Sequence, residues 1–196
     1  MLAGKSVLIT GAARRIGAQV ARTLHENGAN LILHYRHSAE TADALAKELN
    51  NIRNGSVKTL QADLNNLQAI SRLAENSVKA FGQLDVLINN ASSFYPTPIG
   101  SITAQQWDDL TGSNYRAPLF LSQACRHALK LNHGVIINML DIYASAPLQN
   151  HSLYCSAKAA SQMLVKSLAL ELAPEIRVNG IAPGAIMWPQ NDSDAD

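Results

Sequence analysis

Short apolar runs alternate along the chain with longer segments whose apolar residues recur at helical spacing. The runs predict six strands, at SVLIT (6–10), NLILHY (30–35), SVKTLQA (56–62), LDVLIN (84–89), GVIINML (134–140) and IRVNGIA (176–182). The helical spacing predicts five helices, over 16–28, 39–51, 66–82, 116–130 and 156–174. Gly28 and Gly82 are placed to end two of these helices, and Pro174 marks the end of the last one.

The order of these elements predicts the fold class. Several strands are apolar at consecutive positions, which is typical of strands covered on both faces. Strand alternating with helix predicts right-handed βαβ units, and therefore an α/β, doubly wound parallel sheet of Rossmann type with helices on both faces. No repeat or low-complexity segment interrupts the order, so residues 1–196 are expected to form a single domain.

Charge and composition limit the kinds of molecule that the protein is expected to bind. The chain has 16 basic and 15 acidic residues, and no stretch gathers a block of like charges. Neither a nucleic-acid partner nor a membrane surface is expected, and a small molecule is the better prediction. Cys125 and Cys155 lack C-x-x-C spacing, so neither a disulfide framework nor a zinc site is expected. No spanning segment or signal peptide is evident, which predicts a cytoplasmic protein.

The segment TGAARRIG (10–17) joins the first predicted strand to the first predicted helix. Gly11 permits a tight turn, Gly17 permits close packing, and the helix N-terminus offers free N–H groups to a phosphate. Arg15 stands where a dinucleotide fold usually has another glycine. An ordinary strand-to-helix turn is the alternative interpretation.

The end of the second strand reads HYRHS, where an NAD site usually has Asp or Glu against the ribose hydroxyls. Arg36, with His34, His37 and Ser38, offers donors to a 2′-phosphate, and no carboxylate stands in this segment to repel it. The segment therefore predicts NADPH as the cofactor. The alternative is a solvated polar strand end.

The segment YCSAK places Tyr154 and Lys158 four residues apart, so both project from one helix face. An ammonium near a phenol stabilises the phenolate and lowers the phenol pKa from about 10 towards that of a working proton donor. A surface Tyr–Lys pair is the alternative.

The glycine loop, LDVLINNAS and YxxxK occur in the order and spacing of the short-chain dehydrogenase/reductases, and the resemblance covers nearly the whole chain. Three departures point to one group within that superfamily. Arg15 replaces the middle glycine, the fourth strand continues into NNASSFYPTP, and Asp141 stands thirteen residues before Tyr154, where most members have serine. Together these features resemble the pteridine reductases.

The resemblance implies hydride transfer from NADPH to a C=N bond of a pterin or dihydropterin of the biopterin, folate or monapterin type. Tyr154 would donate the proton with Asp141 as its partner. Lys158 would hold the nicotinamide ribose and keep Tyr154 acidic, and Asn114 would anchor a water that feeds protons to Lys158. Asp141 as the cap of a turn is the alternative for that residue.

The resemblance also assigns the binding residues. Arg15 would reach both the cofactor phosphates and the pterin, Phe94 would sandwich the pterin against the nicotinamide, and Ser92 would make a polar contact. A core aromatic is the alternative for Phe94. The predicted cofactor residues are Gly11, Arg14, Arg15, Ile16, Gly17, His34, Tyr35, Arg36, His37, Ser38, Asp63, Leu64, Asn90, Ala91, Ser92, Tyr154, Lys158, Pro183 and Gly184, with Asp63 accepting from the adenine amino group.

Three further expectations complete the interpretation. Superfamily members pair helices into dimers and tetramers, and the apolar segments around 119–131 and 157–172 suit a homotetramer. Family members continue past MWPQNDSDAD, so the last elements of the fold are expected to be missing and this polar ending to be unfolded. His151 stands where many pteridine reductases have an aromatic residue, which predicts a different pterin side chain in the pocket.

Two other functions remain open. One is a different reductase of the superfamily that acts on a carbonyl or an acyl thioester. The other is a non-catalytic NADPH-binding scaffold.

Overall fold

The structure, a computed structural model, describes residues 2–184. Strands and helices alternate along these residues. The strands are β1 (Ser6–Ile9), β2 (Asn30–Tyr35), β3 (Val57–Gln61), β4 (Val86–Asn89), β5 (Val135–Met139) and β6 (Arg177–Ile181). The helices are α1 (Arg15–Glu26), α2 (Ala39–Ile52), α3 (Leu67–Phe81), α4 (Ala104–Thr111), α5 (Ala117–Leu131) and α6 (Ser152–Leu172). A π-helical turn (Gly112–Arg116) joins α4 to α5, and a 3-10 turn (Ile142–Ala144) follows β5.

The strands form one parallel sheet in the order β3-β2-β1-β4-β5-β6. The direction of winding reverses at β1, since Val7 pairs with Leu31 of β2 on one side and with Val86 of β4 on the other. Open α/β sheets bind ligands in the crevice at such a reversal, beyond the carboxyl ends of the strands. The fold therefore places the candidate site at the loops after β1 and β4.

Helices cover both faces of the sheet. In β1, Val7 and Ile9 pack in the cluster that contains buried residues of α1 and α2, whereas Leu8 packs in the cluster of α3, α5 and α6. Consecutive residues of a strand point to opposite faces, so an unbroken apolar run is what such a strand requires. The predicted doubly wound parallel sheet is confirmed.

The predicted strands and helices agree with the structure to within a few residues at each end. Gly82 caps α3 in the left-handed conformation, with φ of 76°, and Gly28, with φ of 92°, follows the cap of α1 by one residue. The sequence reasoning missed α4 and the π-helical turn. Within residues 2–184 no helix has the length and hydropathy to cross a membrane. The ending predicted to be unfolded, from residue 187, lies outside the described residues.

Candidate active site

The loops after β1 and β4 are held together by Thr10. Its hydroxyl oxygen accepts hydrogen bonds from the backbone N–H groups of Asn90 (2.9 Å) and Ala91 (3.0 Å). The Asn90 side chain returns two hydrogen bonds, to the carbonyl oxygens of Thr10 (2.8 Å) and Gly11 (3.0 Å). The floor of the crevice is therefore a fixed backbone surface.

The two glycines of the first loop are required by packing. Gly11 has a φ of 60°, and a Cβ atom there would lie 2.9 Å from the Cα atom of Ala91. A Cβ atom on Gly17 would overlap the carbonyl oxygen of Gly11. Glycine alone avoids both conflicts, because it has no Cβ and tolerates positive φ.

Arg15 adopts a backbone conformation that usually requires glycine. Its φ is 50°, in the left-handed region that favours glycine. It begins α1, where Arg14 makes no side-chain capping hydrogen bond and both arginines are exposed. Free N–H groups at a helix start, next to two guanidinium groups, are suited to hold a diphosphate. Ile16, half-buried, completes this first turn.

The structure corrects the role predicted for His34. Its ring is almost fully buried, with Nδ1 accepting from the Gly11 N–H (3.2 Å) and Nε2 donating to the Ala62 carbonyl (3.1 Å). Burial lowers the pKa of His34 to about 4, so the ring is neutral. With both nitrogens engaged, His34 supports the Gly11 turn from below and is not a cationic donor to a 2′-phosphate.

Arg36 has carboxylate neighbours that the local sequence does not show. Its guanidinium pairs with Asp63, with Nη2 3.3 Å from Oδ2, and with Asp109 of α4, with Nη1 3.5 Å from Oδ1. The segment HYRHS has no carboxylate of its own, but distant segments bring two of them to Arg36. His37 is exposed, and the Ser38 side chain makes no capping hydrogen bond at the start of α2.

Three other predicted cofactor residues lie on this side of the sheet. Tyr35 ends β2 half-buried. Asp63 accepts the Asn65 N–H at 2.9 Å through the oxygen that does not contact Arg36. Leu64 is 7% exposed and packs in the core with α3, so its side chain belongs to the interior.

Asp141 and Tyr154 form the centre of the site. The Tyr154 hydroxyl donates to Oδ2 of Asp141 at 2.6 Å, and Oδ1 of Asp141 accepts the Tyr143 N–H at 2.9 Å. The carboxylate thus caps the 3-10 turn with one oxygen and holds the phenol with the other. The two interpretations of Asp141, turn cap and partner of Tyr154, both hold.

Lys158 does not act on Tyr154 as expected. Its ammonium donates to the Met139 carbonyl at 2.9 Å and lies 5.6 Å from the centroid of the Tyr154 ring. Burial and then the hydrogen bond to Asp141 raise the pKa of Tyr154. Burial lowers the pKa of Lys158 to about 8. The expectation that Lys158 makes the phenol acidic is wrong for this arrangement.

Asn114 lies in the π-helical turn and is 2% exposed. Its amide nitrogen donates to the carbonyls of Leu110 (3.0 Å) and Ser93 (2.9 Å), and its oxygen accepts from the Ser92 hydroxyl (2.7 Å). Single π-turns inside helices occur frequently at functional sites. Here the turn aims one side chain at the loop after β4 and fixes that loop beside Tyr154.

Phe94 is 55% exposed, which excludes the core-aromatic interpretation. Its ring stacks on His151 with centroids 4.8 Å apart and meets the Tyr154 ring edge to face at 4.8 Å. At the other end of the site, the Pro183 carbonyl accepts from the Ile142 N–H at 3.4 Å, and Gly184 is exposed. An exposed aromatic side chain thus lies against the buried phenol.

The structure therefore separates the predicted residues into two groups. Ser92, Phe94, Asn114, Asp141, Tyr154 and Lys158 meet around one phenol, and Arg36, His37, Ser38 and Asp63 lie at the edge near β2. Sequence reasoning missed Thr10, Tyr95 and Asp109. Of these three, only Thr10 could have been found from the sequence, because it is a hydroxyl residue at the end of the strand where the winding reverses.

Comparison with known proteins decides the family. The family model described as short chain dehydrogenase matches residues 5–195. The chain belongs to the short-chain dehydrogenase family. Members are oxidoreductases that act on small molecules with NAD or NADP, and the residues present fit such a cofactor. The fit rests on the tight turn at Gly11, with φ of 60°, and on a helix start without a side-chain cap, which leaves backbone N–H groups free for a phosphate.

Curated relatives carry several reductase names. Pteridine reductase 1 of Leishmania tarentolae is 38% identical, over 94% of this chain and 77% of its own length. Hydroxynaphthalene reductase-like protein Arp2 of Metarhizium anisopliae is 32% identical, over 99% of this chain and 73% of its own length. L-xylulose reductase of Bos taurus is 33% identical, over 98% of this chain and 76% of its own length. The relatives therefore share the family but differ in the substrates that their names give.

Proposed function

We propose that this protein is an NADPH-dependent pteridine reductase, which reduces a C=N bond of a pterin or dihydropterin. The observation that carries the proposal is the 2.6 Å hydrogen bond from Tyr154 to Asp141, beside the exposed ring of Phe94. The 38% identity to a pteridine reductase supports it. A flat heterocycle needs an aromatic wall and a proton donor at its edge, and these two residues supply both.

NADPH, when bound, supplies the hydride that reduces the carbon of the C=N bond. Tyr154 gives its proton to the nitrogen of that bond. Since burial and Asp141 raise the pKa of Tyr154, the phenolate left behind is unfavourable, and it would take up a proton from water by way of the Asp141 carboxyl group. Reduction of C=N develops no carbonyl oxyanion, so a carboxyl group replaces the serine that would stabilise one.

The residues at the carboxyl edge of the sheet would bind the cofactor. Arg14 and Arg15, with the free N–H groups of α1, would hold the diphosphate, and Lys158 the nicotinamide ribose. Arg36, His37 and Ser38 would hold the 2′-phosphate that distinguishes NADPH from NADH. A guanidinium is the preferred partner of a phosphate because its donors match the oxygens pairwise.

The substrate would lie over Phe94. Stacking on an aromatic ring contributes on the order of 1 kcal/mol beyond the area that it buries. Ser92 and Arg15 would provide polar contacts at the edge of the heterocycle. Since His151 covers one side of Phe94, it fixes the ring that the substrate meets.

A second candidate is reduction of a carbonyl group. The relatives named for hydroxynaphthalene and L-xylulose, at 32% and 33% identity, favour it. Asp141 argues against it, since the position lacks the hydroxyl that would stabilise a carbonyl oxyanion.

Parallel assays separate the candidates. NADPH oxidation is followed by absorbance with dihydrobiopterin, dihydrofolate and L-xylulose in turn, and thermal stabilisation by NADPH is measured on the same sample. The proposal expects turnover with a dihydropterin and none with L-xylulose. Turnover of L-xylulose alone supports the carbonyl reductase, and stabilisation without any turnover supports a non-catalytic scaffold. Tyr154→Phe is the control, since it should lose turnover and keep the stabilisation.

We also propose that the protein acts as a homotetramer. Leu131 at the end of α5 and Met163 and Leu170 on α6 are 69%, 59% and 82% exposed, respectively. Met163 and Leu170 are seven residues apart and therefore share a helix face. Exposed apolar side chains on two helices that cover the same face of the sheet suit an interface between identical chains.

A further inference from the structure

Arg36 lies between two cavities at the carboxyl edge of the sheet. One cavity, of about 410 Å³, is lined by Arg36, His37 and Asp63 among others. The other, of about 550 Å³, is lined by Arg36, Tyr95, Asp109 and Arg116 among others. The guanidinium therefore separates the region of the proposed 2′-phosphate donors from the region in front of α4.

The two carboxylates hold Arg36 unequally. Asp63 accepts a hydrogen bond from it at 3.3 Å, whereas Asp109 makes a longer charge contact at 3.5 Å. Asp109 is also the less exposed of the two, at 26% against 46%, so solvent screens its charge less. We name the Arg36–Asp109 contact the α4 clasp.

Asp109 has another partner that it keeps if the α4 clasp opens. The Tyr95 hydroxyl donates to its Oδ2 atom at 3.2 Å. Burial, and then the charge of Asp109, raise the pKa of Tyr95, so this phenol stays a donor. The carboxylate can therefore leave Arg36 and still keep a hydrogen-bond donor.

We propose that Asp109 is a specificity-determining residue that competes with the 2′-phosphate of NADPH for Arg36. A phosphate monoester brings between one and two negative charges to a guanidinium already facing two carboxylates. Three anions around one cation repel each other, and the longer contact gives way. The α4 clasp opens when the phosphorylated cofactor binds and stays closed with NADH.

The inference rests on the proposed use of NADPH and is tested by binding alone, without a pterin. Dissociation constants for NADPH and NADH are measured by fluorescence titration on the wild type, Asp109→Asn and Asp108→Asn. Asp108 lies one residue away and lines the same cavity, and no ion pair is formed by it among residues 2–184, so it controls for the loss of a nearby charge. Asp109→Ala repeats the test with a different side chain.

The α4 clasp predicts that Asp109→Asn and Asp109→Ala bind NADPH about three- to fivefold more tightly than the wild type, as expected for one partly exposed ion pair. NADH affinity should change less than twofold in every variant, and Asp108→Asn should match the wild type. Equal NADPH affinities in the Asp109 and Asp108 variants would overturn the inference, as would weaker binding, which would make Asp109 an orienting residue. A wild type that prefers NADH overturns the proposed cofactor as well.

Discussion

Asp141 shows how one substitution changes what a site can do. Its two carboxylate oxygens act separately, one on the backbone N–H of Tyr143 and one on the Tyr154 hydroxyl. A serine side chain is shorter and has a single oxygen. It could not cap the turn and accept from the Tyr154 hydroxyl as the two carboxylate oxygens do. The residue that departs from the usual family pattern thus contacts both the local backbone and the Tyr154 hydroxyl.

The charge of Lys158 is expected to make cofactor affinity depend on pH. Burial lowers its pKa to about 8, below its ordinary value, so its ammonium is lost as the pH rises through that value. We expect the affinity for NADH, which has no titrating 2′-phosphate, to fall over this range, because the donor to the ribose hydroxyls disappears. Lys158→Arg keeps its charge at these pH values and should give a flat profile.

Fluorescence titration of NADH from neutral to alkaline pH measures both profiles. Only the shape of each curve is compared, so a general loss of affinity in the variant does not affect the result. A flat wild-type curve would show that the charge of Lys158 is not required for cofactor binding.

Asn114 ties the π-helical turn to the loop after β4. Asn114→Ala removes the side-chain donor from the buried carbonyl of Leu110 and the part-buried carbonyl of Ser93, at a cost of about 1–3 kcal/mol. It also releases Ser92, so we expect turnover to fall about tenfold or more, the equivalent of 1.4 kcal/mol in the barrier. Thermal unfolding and steady-state turnover measure the two effects.

Asn132 offers the matched control. Its amide nitrogen also donates to two carbonyls, those of Leu84 (3.2 Å) and Ala128 (2.9 Å), at the other end of α5. Asn132→Ala should lower stability by a similar amount and leave turnover unchanged. Equal losses of turnover in both variants would mean that Asn114 acts only through stability.

The elements differed in how well the sequence predicted them. β1 and β2 are apolar at consecutive residues because helices cover both faces of the sheet. That pattern predicted both strands. α4 was missed because only Leu110 of its eight residues is buried, so it has no apolar stripe. Its signal was the capping box of Thr103 and Gln106, in which each side chain accepts from the other's backbone N–H.

The residues that sequence misassigned depend on contacts between distant segments. The pairing of Arg36 with Asp63 and Asp109 spans separations of 27 and 73 residues, which no local pattern encodes. His34 was predicted to donate to a phosphate. Its position at a strand end does not show that its side chain packs below the Gly11 turn. Tyr154 and Asp141 could be paired in advance only through the family resemblance.

At the scale of the whole molecule, the exposed face of α5 and α6 carries the prediction of assembly. Leu170→Glu places a charge on a side chain that is 82% exposed and should dissociate the proposed tetramer. Ile52→Glu is the control, since Ile52 is 73% exposed on α2, which covers the opposite face of the sheet. Light scattering after size exclusion measures the mass. A mass unchanged by Leu170→Glu, or reduced equally by Ile52→Glu, would contradict the proposed interface.

The most direct test of the account follows the hydride itself. The protein is supplied with NADPH carrying deuterium at the transferable position of the nicotinamide, together with dihydrobiopterin and L-xylulose in one mixture, and the products are analysed by mass spectrometry. The account predicts a tetrahydropterin with one added deuterium and an unlabelled sugar. Deuterium in the reduced sugar with none in the pterin would contradict it.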